Sequence, residues 1–148
     1  MDASDIGPRL RDLLEAHEVE ASVLRSLRTA AASLGDLVDQ LDWPMLVSVG
    51  PVADRVLGAA AVLRARPLEC WDRRRRLDGH HALLVVIADP TGLMTADAAR
   101  LVKGLGATVV SSCGVLASER VASSTDRHYT LSVECGGRPA RRGHLIGA

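Results

Sequence analysis

The apolar residues between positions 82 and 113 follow the spacing of a strand, a helix and a second strand. Residues 83–88 form an unbroken apolar run, which is typical of a strand buried on both faces. After a polar turn, Thr95 caps a helix, whose apolar residues recur at helical spacing: Ala98, Leu101, Val102 and Leu105. Residues 107–112 form a β-branched run. Elements of this order and length form a βαβ unit, which predicts a parallel sheet.

The first part of the chain has helical spacing. Residues 8–41 are predicted to be helical, with Gly35 interrupting the run and Asp36 capping a short final helix. The apolar residues fall on two faces: Leu10, Leu13 and Leu14 on one, and Val23, Leu24 and Leu27 on the other. These helices either cover a sheet edge or form a dimer contact, and the pattern leaves both roles open.

The order of strand, tight turn and helix also occurs before the βαβ unit. Residues 45–49 form a short apolar strand that stops at a Gly-Pro pair, and residues 52–65 have helical spacing. Residues 67–71 predict a short strand at or near a sheet edge, because they include a proline. Residues 129–134 alternate apolar and polar side chains, which predicts a last strand.

These elements predict an α/β protein with a mostly parallel sheet, flanking helices and a helical N-terminal extension. The 148 residues have the length of one domain. We expect a helical N-terminal segment at 1–42, an α/β core at 43–135 and a flexible tail at 136–148. Hydrophobic residues make up 47% of the chain, which excludes a disordered protein.

Composition excludes several classes of function. The net charge is +0 and aromatic residues make up 2%, so we expect no nucleic-acid partner. No apolar run approaches the roughly 20 residues that span a bilayer, and we expect no membrane partner. The acidic N-terminal residues differ from a signal peptide, so the cytoplasm is expected. Three widely spaced cysteines predict neither a disulfide framework nor a zinc site: Cys70, Cys113 and Cys135.

The turn that opens the helix of the βαβ unit has the features of a phosphate site. In open α/β sheets, ligands bind beyond the carboxyl ends of the strands. Free backbone amides, the hydroxyls of Thr91 and Thr95 and the positive end of the helix dipole suit a phosphate. The predicted phosphate-binding residues are Thr91, Gly92, Leu93, Met94 and Thr95. The alternative is an ordinary βα turn with Thr95 as a cap.

Residues 72–81 hold four consecutive arginines, then a glycine and two histidines. One interpretation is a solvated loop. The other is a mobile anion-binding loop, because arginine offers a bidentate fork to phosphate. His80 and His81 are either proton carriers or ordinary residues at a strand edge.

Residues 45–116 resemble the type I phosphoribosyltransferases, and the orotate phosphoribosyltransferase-like members in particular. The similar segments are LVSVGPVADRVLGAAAVLRARPLE, the basic loop, and ALLVVIADPTGLMTADAARLVKGLGATVV. The resemblance covers the apolar strand, Thr91 and Gly92, the helix, and Gly106 with Ala107. It implies transfer of ribose 5-phosphate from phosphoribosyl pyrophosphate (PRPP) to a nitrogen nucleophile. It also implies a parallel sheet with flanking helices, a small hood over the base, and magnesium as a possible cofactor.

The same resemblance implies roles for particular residues. The catalytic candidates are Asp89, Arg74 and Arg75, with Asp89 facing the sugar or a magnesium ion. The pyrophosphate-binding candidates are Gly50, Pro51, Val52, Ala53, Arg73 and Arg76. The family has two acids that contact the ribose hydroxyls, and an alignment without a gap places Val86 and Ile87 there. Aligning Asp89 with the second acid instead shortens the phosphate loop and leaves Ala88 in place of the first. Each buried hydroxyl without a partner costs about 1–3 kcal/mol. No side chain is assigned as a protein ligand to a metal.

Three functions are consistent with these patterns. The first is a divergent pentosyltransferase that transfers or binds the ribose 5-phosphate of PRPP with a nucleobase-like acceptor. The alternative is a non-catalytic PRPP or nucleotide sensor, or a partner subunit, that kept the fold and lost the ribose-binding acids. The third is a purely structural domain. The expected partners are a phosphorylated small molecule and a second copy of the chain in a homodimer.

Overall fold

The computed structural model describes residues 6–64, 67–117, 121, 124–135, 138–139 and 145–146. The helices of this part of the chain are α1 (Ile6–Arg25), α2 (Leu27–Gln40), α3 (Pro51–Leu63) and α4 (Leu93–Gly104). The longer strands are β1 (Met45–Ser48), β2 (His81–Val85), β4 (Val109–Gly114) and β6 (Arg127–Thr130). The two-residue strands are β3 (Ala88–Asp89), β5 (Leu116–Ala117), β7 (Glu134–Cys135), β8 (Arg138–Pro139) and β9 (Leu145–Ile146).

The centre of the fold is a four-stranded parallel sheet in the order β1, β2, β4, β6. β9 adds to β6 in the antiparallel direction. β3 and β5 pair in parallel beyond the ends of β2 and β4. The predictions of an α/β class, a parallel sheet with flanking helices and N-terminal helices are confirmed. Among the described residues, no helix is long and apolar enough to cross a membrane.

A short segment after α3 lies on the outer side of β1. Leu46 donates its backbone N–H to the carbonyl of Glu69 at 2.7 Å, and Trp71 donates to the carbonyl of Leu46 at 2.8 Å. Cys70 thus forms a parallel bridge to Leu46, as expected for a short edge segment. The chain then crosses to the other side of β1 and enters β2. This reversal creates a topological switch point between β1 and β2, where ligand crevices open in α/β sheets.

Helices cover both faces of the sheet and bury two apolar clusters. One cluster joins α2 and α3 to alternate residues of the central strand, including Leu83, Val85 and Ile87. The other joins α4 to the intervening residues, including Ala82, Leu84 and Val86. Because β2 is covered on both sides, its sequence is an unbroken apolar run rather than an alternating one.

The predicted break at Gly35 is wrong. α2 runs through this glycine to Gln40, and the interruption between the N-terminal helices lies at Ser26. A Cβ at position 35 would overlap the guanidinium of Arg64. That guanidinium contacts Asp36 at 3.0 Å and Asp39 at 2.8 Å. Gly35 therefore allows the close approach of a side chain from the end of α3 and does not end a helix.

Other boundaries also differ from the prediction. The last predicted strand, at 129–134, is β6 and ends at Thr130. The first strand of the βαβ unit begins at His81 and is interrupted at residues 86–87. Most of the predicted flexible tail at 136–148 lies outside the described residues.

Gly114 offers a test of the sheet geometry. A Cβ at this position would overlap the carbonyl oxygen of Val86 on the neighbouring strand. We expect Gly114→Ala to lower the free energy of unfolding by about 3 kcal/mol, because two backbones would be forced apart. Urea denaturation followed by circular dichroism measures the change.

Gly58→Ala is the matched control. Gly58 lies within α3, and a Cβ there has no heavy atom within 4 Å. This substitution should raise the free energy of unfolding by up to about 1 kcal/mol, since alanine favours a helix interior. Equal stabilities for the two variants would contradict the described register of β2 and β4.

Candidate functional site

Asp89 lies at the centre of the turn between β3 and α4 and is only 2% exposed. One carboxylate oxygen accepts hydrogen bonds from the amide of Gly92 at 3.1 Å and the hydroxyl of Thr91 at 3.4 Å. The other accepts from the amide and hydroxyl of Thr95, at 2.8 and 2.7 Å. Asp89 therefore caps α4 with a negative charge at the positive end of the helix.

The expectation of free amides in this turn is wrong for Gly92, Leu93 and Thr95. Gly92, with a φ of 77°, turns its amide toward Asp89. The amide of Leu93 donates to the hydroxyl of Thr91 at 3.3 Å. The structure thus gathers the predicted phosphate-binding residues around a carboxylate of the chain itself. Phosphate binding by residues 91–95 stays a prediction, and it requires an anion to displace the side chain of Asp89.

Val86 and Ile87, which the resemblance aligns without a gap to two acids, both lie in the apolar interior. Val86 is 4% exposed and packs on the α4 side, and Ile87 is 3% exposed and packs on the α3 side. Neither side chain can accept a hydrogen bond from a ribose hydroxyl. Asp89 does not replace them, because both of its carboxylate oxygens already accept bonds within the turn.

The four consecutive arginines do not act as one patch. Arg76 contacts Asp78 at 2.8 Å, and Arg75 approaches Asp72 at 3.9 Å. The backbone amides of Arg74 and Arg75 donate to Asp72 and hold the pKa of its carboxyl below the usual range. The guanidinium of Arg76 likewise lowers the pKa of Asp78. Local carboxylates thus supply much of the counter-charge in this loop.

Arg73 leaves the cluster and reaches the carboxyl end of β1. Its guanidinium donates to the carbonyl of Ser48 at 3.0 Å. Its backbone has a φ of 67°, a left-handed conformation that is uncommon outside glycine. The structure therefore brings Arg73 to the predicted pyrophosphate loop, whereas the Arg76 guanidinium is turned to Asp78. Arg74 and Arg75 are exposed on the loop surface.

A crevice of about 320 Å³ opens at this point. It lies at the switch point between β1 and β2 and has an apolar wall from α4. Its lining residues are Val47, Ser48, Val49, Gly50, Trp71, Arg73, Met94, Asp97, Ala98, Leu101 and Val102. Gly50, with a φ of 99°, turns the chain from β1 into α3. Crevices of this size accommodate small ligands.

The N-terminus of α3 differs from that of α4. Within the described part of the chain, no side chain accepts a hydrogen bond from the amides of Val52 and Ala53. Both residues are buried in the core. Asp54, in the same turn, accepts a short hydrogen bond from the hydroxyl of Ser48.

A second, larger cavity lies between α1 and the β3–α4 turn. Its volume is about 930 Å³. The lining residues are Arg9, Asp12, Leu13, Ala16, Glu20, Ala88, Asp89, Pro90, Thr91, Leu93 and Met94. Its walls are mostly apolar, with charged side chains contributed by α1.

Two serine–histidine pairs on β4 were not predicted. Ser111 contacts Nε2 of His81 at 2.8 Å, and Ser112 contacts Nδ1 of His128 at 2.7 Å. Two adjacent serines within a strand that is otherwise free of polar side chains are the sequence signal for such polar partners. His81 begins β2, so it lies at the opposite end of the strand from the crevice. His80 is exposed.

Comparisons with known proteins leave the family open. A scan against known protein families gives no match, and a search of curated proteins gives none.

Among the described residues, no group of three or more His, Cys, Asp or Glu side chains could hold a metal ion.

The half-buried His81 and the buried His128 predict loss of stability in mild acid. Burial lowers the pKa of His81 and His128, and Asp126 opposes this effect at His81. The unfolded chain therefore binds more protons below about pH 6.5. We expect the urea midpoint to decrease between about pH 7.5 and about pH 5.5, where carboxylates remain ionised. Stability should be fully retained above the unfolded pKa.

Substitution of a single histidine tests whether a buried imidazole causes this pH dependence of stability. His128→Asn should reduce the pH dependence by more than His80→Gln, the matched control at an exposed position. A urea midpoint that is constant over this interval would show that the buried imidazoles do not resist protonation.

Proposed function

We propose that this protein is a non-catalytic relative of the type I phosphoribosyltransferases that binds a phosphorylated small molecule. The ligand class is PRPP or a nucleotide, and its phosphate binds at the N-terminus of α3. One observation carries this proposal: the turn at Gly50, which begins α3, and the side chain of Arg73 line the same crevice at the switch point of the sheet.

The chemistry of this corner suits an anion. The first amides of a helix point outward and the helix dipole adds positive potential there. A guanidinium has five N–H donors, and one hydrogen bond of Arg73 is used by the carbonyl of Ser48. The remaining donors are suited to phosphate oxygens. Trp71 and Met94 give the crevice an apolar part for the rest of the ligand.

The same geometry favours binding over transfer. Ribose transfer requires placed groups that stabilise the developing positive charge on the sugar and the leaving diphosphate. Val86 and Ile87 offer no such group, and the carboxylate of Asp89 is committed to α4. The expected pentosyltransferase activity therefore has little support from the described side chains. A magnesium ion would enter this site bound to the ligand's phosphates, as is common for this ion. The cytoplasmic location stays a prediction.

Isothermal titration calorimetry with PRPP, with and without magnesium, tests the proposal. We expect Arg73→Ala to weaken binding by about 10- to 100-fold, because a charge-assisted hydrogen bond is lost. Asp54→Asn should strengthen binding, since it removes a negative charge beside the same amides. Arg76→Ala is the matched control and should bind as the native chain does, because the guanidinium of Arg76 pairs with Asp78.

Two results would overturn the proposal. Release of pyrophosphate in the presence of a panel of nucleobase acceptors would show a transferase. Absence of binding to PRPP, nucleotides and inorganic phosphate would leave a structural domain as the remaining function.

A further inference from the structure

α1 has a second apolar face that its own fold leaves exposed. The face that packs inward includes Val19 and Val23. On the outward face, Leu10, Leu14 and Leu24 remain 53%, 57% and 39% exposed. Large apolar side chains grouped on one exposed surface mark an interaction site.

The outward face has the spacing of a coiled-coil seam. Its residues alternate at intervals of three and four, so they repeat every seven residues. The members of this seam are Gly7, Leu10, Leu14, His17, Ala21 and Leu24. Gly7 and His17 are exposed as well. A seam of this kind is completed by another helix.

We propose that the seam pairs with the same seam of a second copy of this chain, with the two α1 helices antiparallel. The two-fold axis passes between Leu14 and His17. A two-fold interface uses the same patch on both subunits, and this axis places each seam residue opposite another seam residue. The resulting layers are Gly7 with Leu24, Leu10 with Ala21, and Leu14 with His17, each formed twice.

Charge complementarity selects this partner and this register. Arg11 and Glu18 occupy corresponding flanking positions of successive heptads. In the proposed register, Arg11 of each copy faces Glu18 of the other. A shift of one heptad in either direction instead places Arg11 against Arg11, or Glu18 against Glu18. Flanking charges of this kind set the orientation and partner of coiled-coil helices.

The dimer would also border the larger cavity. Leu13 and Glu20 flank the seam on its other side, and both line the cavity beside Asp89. The second α1 would therefore lie beside that cavity. This placement is independent of ligand binding at α3, so the two proposals can fail separately.

Sedimentation equilibrium of the full chain tests the dimer. We expect a monomer–dimer equilibrium that Arg11→Glu or Glu18→Arg weakens by about tenfold, since each change turns two attractions into two repulsions. The double variant Arg11→Glu with Glu18→Arg should restore the native dissociation constant, because it exchanges the charges without changing their complementarity.

Two variants that replace an apolar residue by glutamate test the seam itself, one within it and one as the matched control. Leu14→Glu should abolish the dimer, whereas Val62→Glu, at a position 85% exposed on α3, should leave it intact. Circular dichroism verifies that each variant is folded. A native chain that is monomeric at all concentrations, a dimer that persists in Leu14→Glu, or a double variant that fails to recover would each overturn the proposal.

Discussion

The carboxylate of Asp89 at the N-terminus of α4 is the interaction on which the rest of this account depends. It accepts two amide and two hydroxyl hydrogen bonds from the turn that it begins. Bonds from backbone amides to a buried carboxylate are charge-assisted and stronger than neutral ones. They fix the path from β3 into α4 and satisfy the end of that helix. The chain thus supplies its own anion where a phosphate was expected.

The two strand–turn–helix units share one plan and differ in how their helix N-termini are satisfied. At α4, Asp89 precedes the turn, and its carboxylate accepts hydrogen bonds from the amides that begin the helix. At α3 the turn contains Gly50 and Pro51, neither of which carries an acceptor side chain. The nearest acid, Asp54, bonds to Ser48 instead of the first amides. This difference moves the candidate ligand site from the second unit to the first, where Arg73 adds a positive charge.

Much of the fold could be predicted because it depends on one-dimensional patterns. The unbroken apolar run at 83–88 requires a strand covered on both faces, and the helical spacing after Thr95 supplies one of the two covers. The direction of a single side chain has no such pattern. Whether Asp89 faces a ligand or caps its own helix depends on local hydrogen bonding. Aspartate side chains in turns often bond to nearby backbone amides, whereas the family resemblance implies a ligand-facing role.

Long-range contacts limited the prediction in other places. Gly35 has the composition of a helix stop, yet it lies within α2 because Arg64, 29 positions later in the sequence, packs over it. The separation of Arg73 from the other three arginines likewise depends on the carbonyl of Ser48. The spacing places the leucines of α1 on faces of the helix, but it does not show which face packs inward. That depends on which side of α1 the rest of the fold covers.

A titration with inorganic phosphate, followed through the ¹⁵N–¹H resonances of Gly92 and Thr95, tests the central claim most directly. The resonances of these amides should not shift in the native chain, because both amides already donate hydrogen bonds to the carboxylate of Asp89. They should shift in Asp89→Ala, where the same donors are released to solvent. A phosphate-dependent shift of both amides in the native chain would contradict the account and restore the turn before α4 as the anion site.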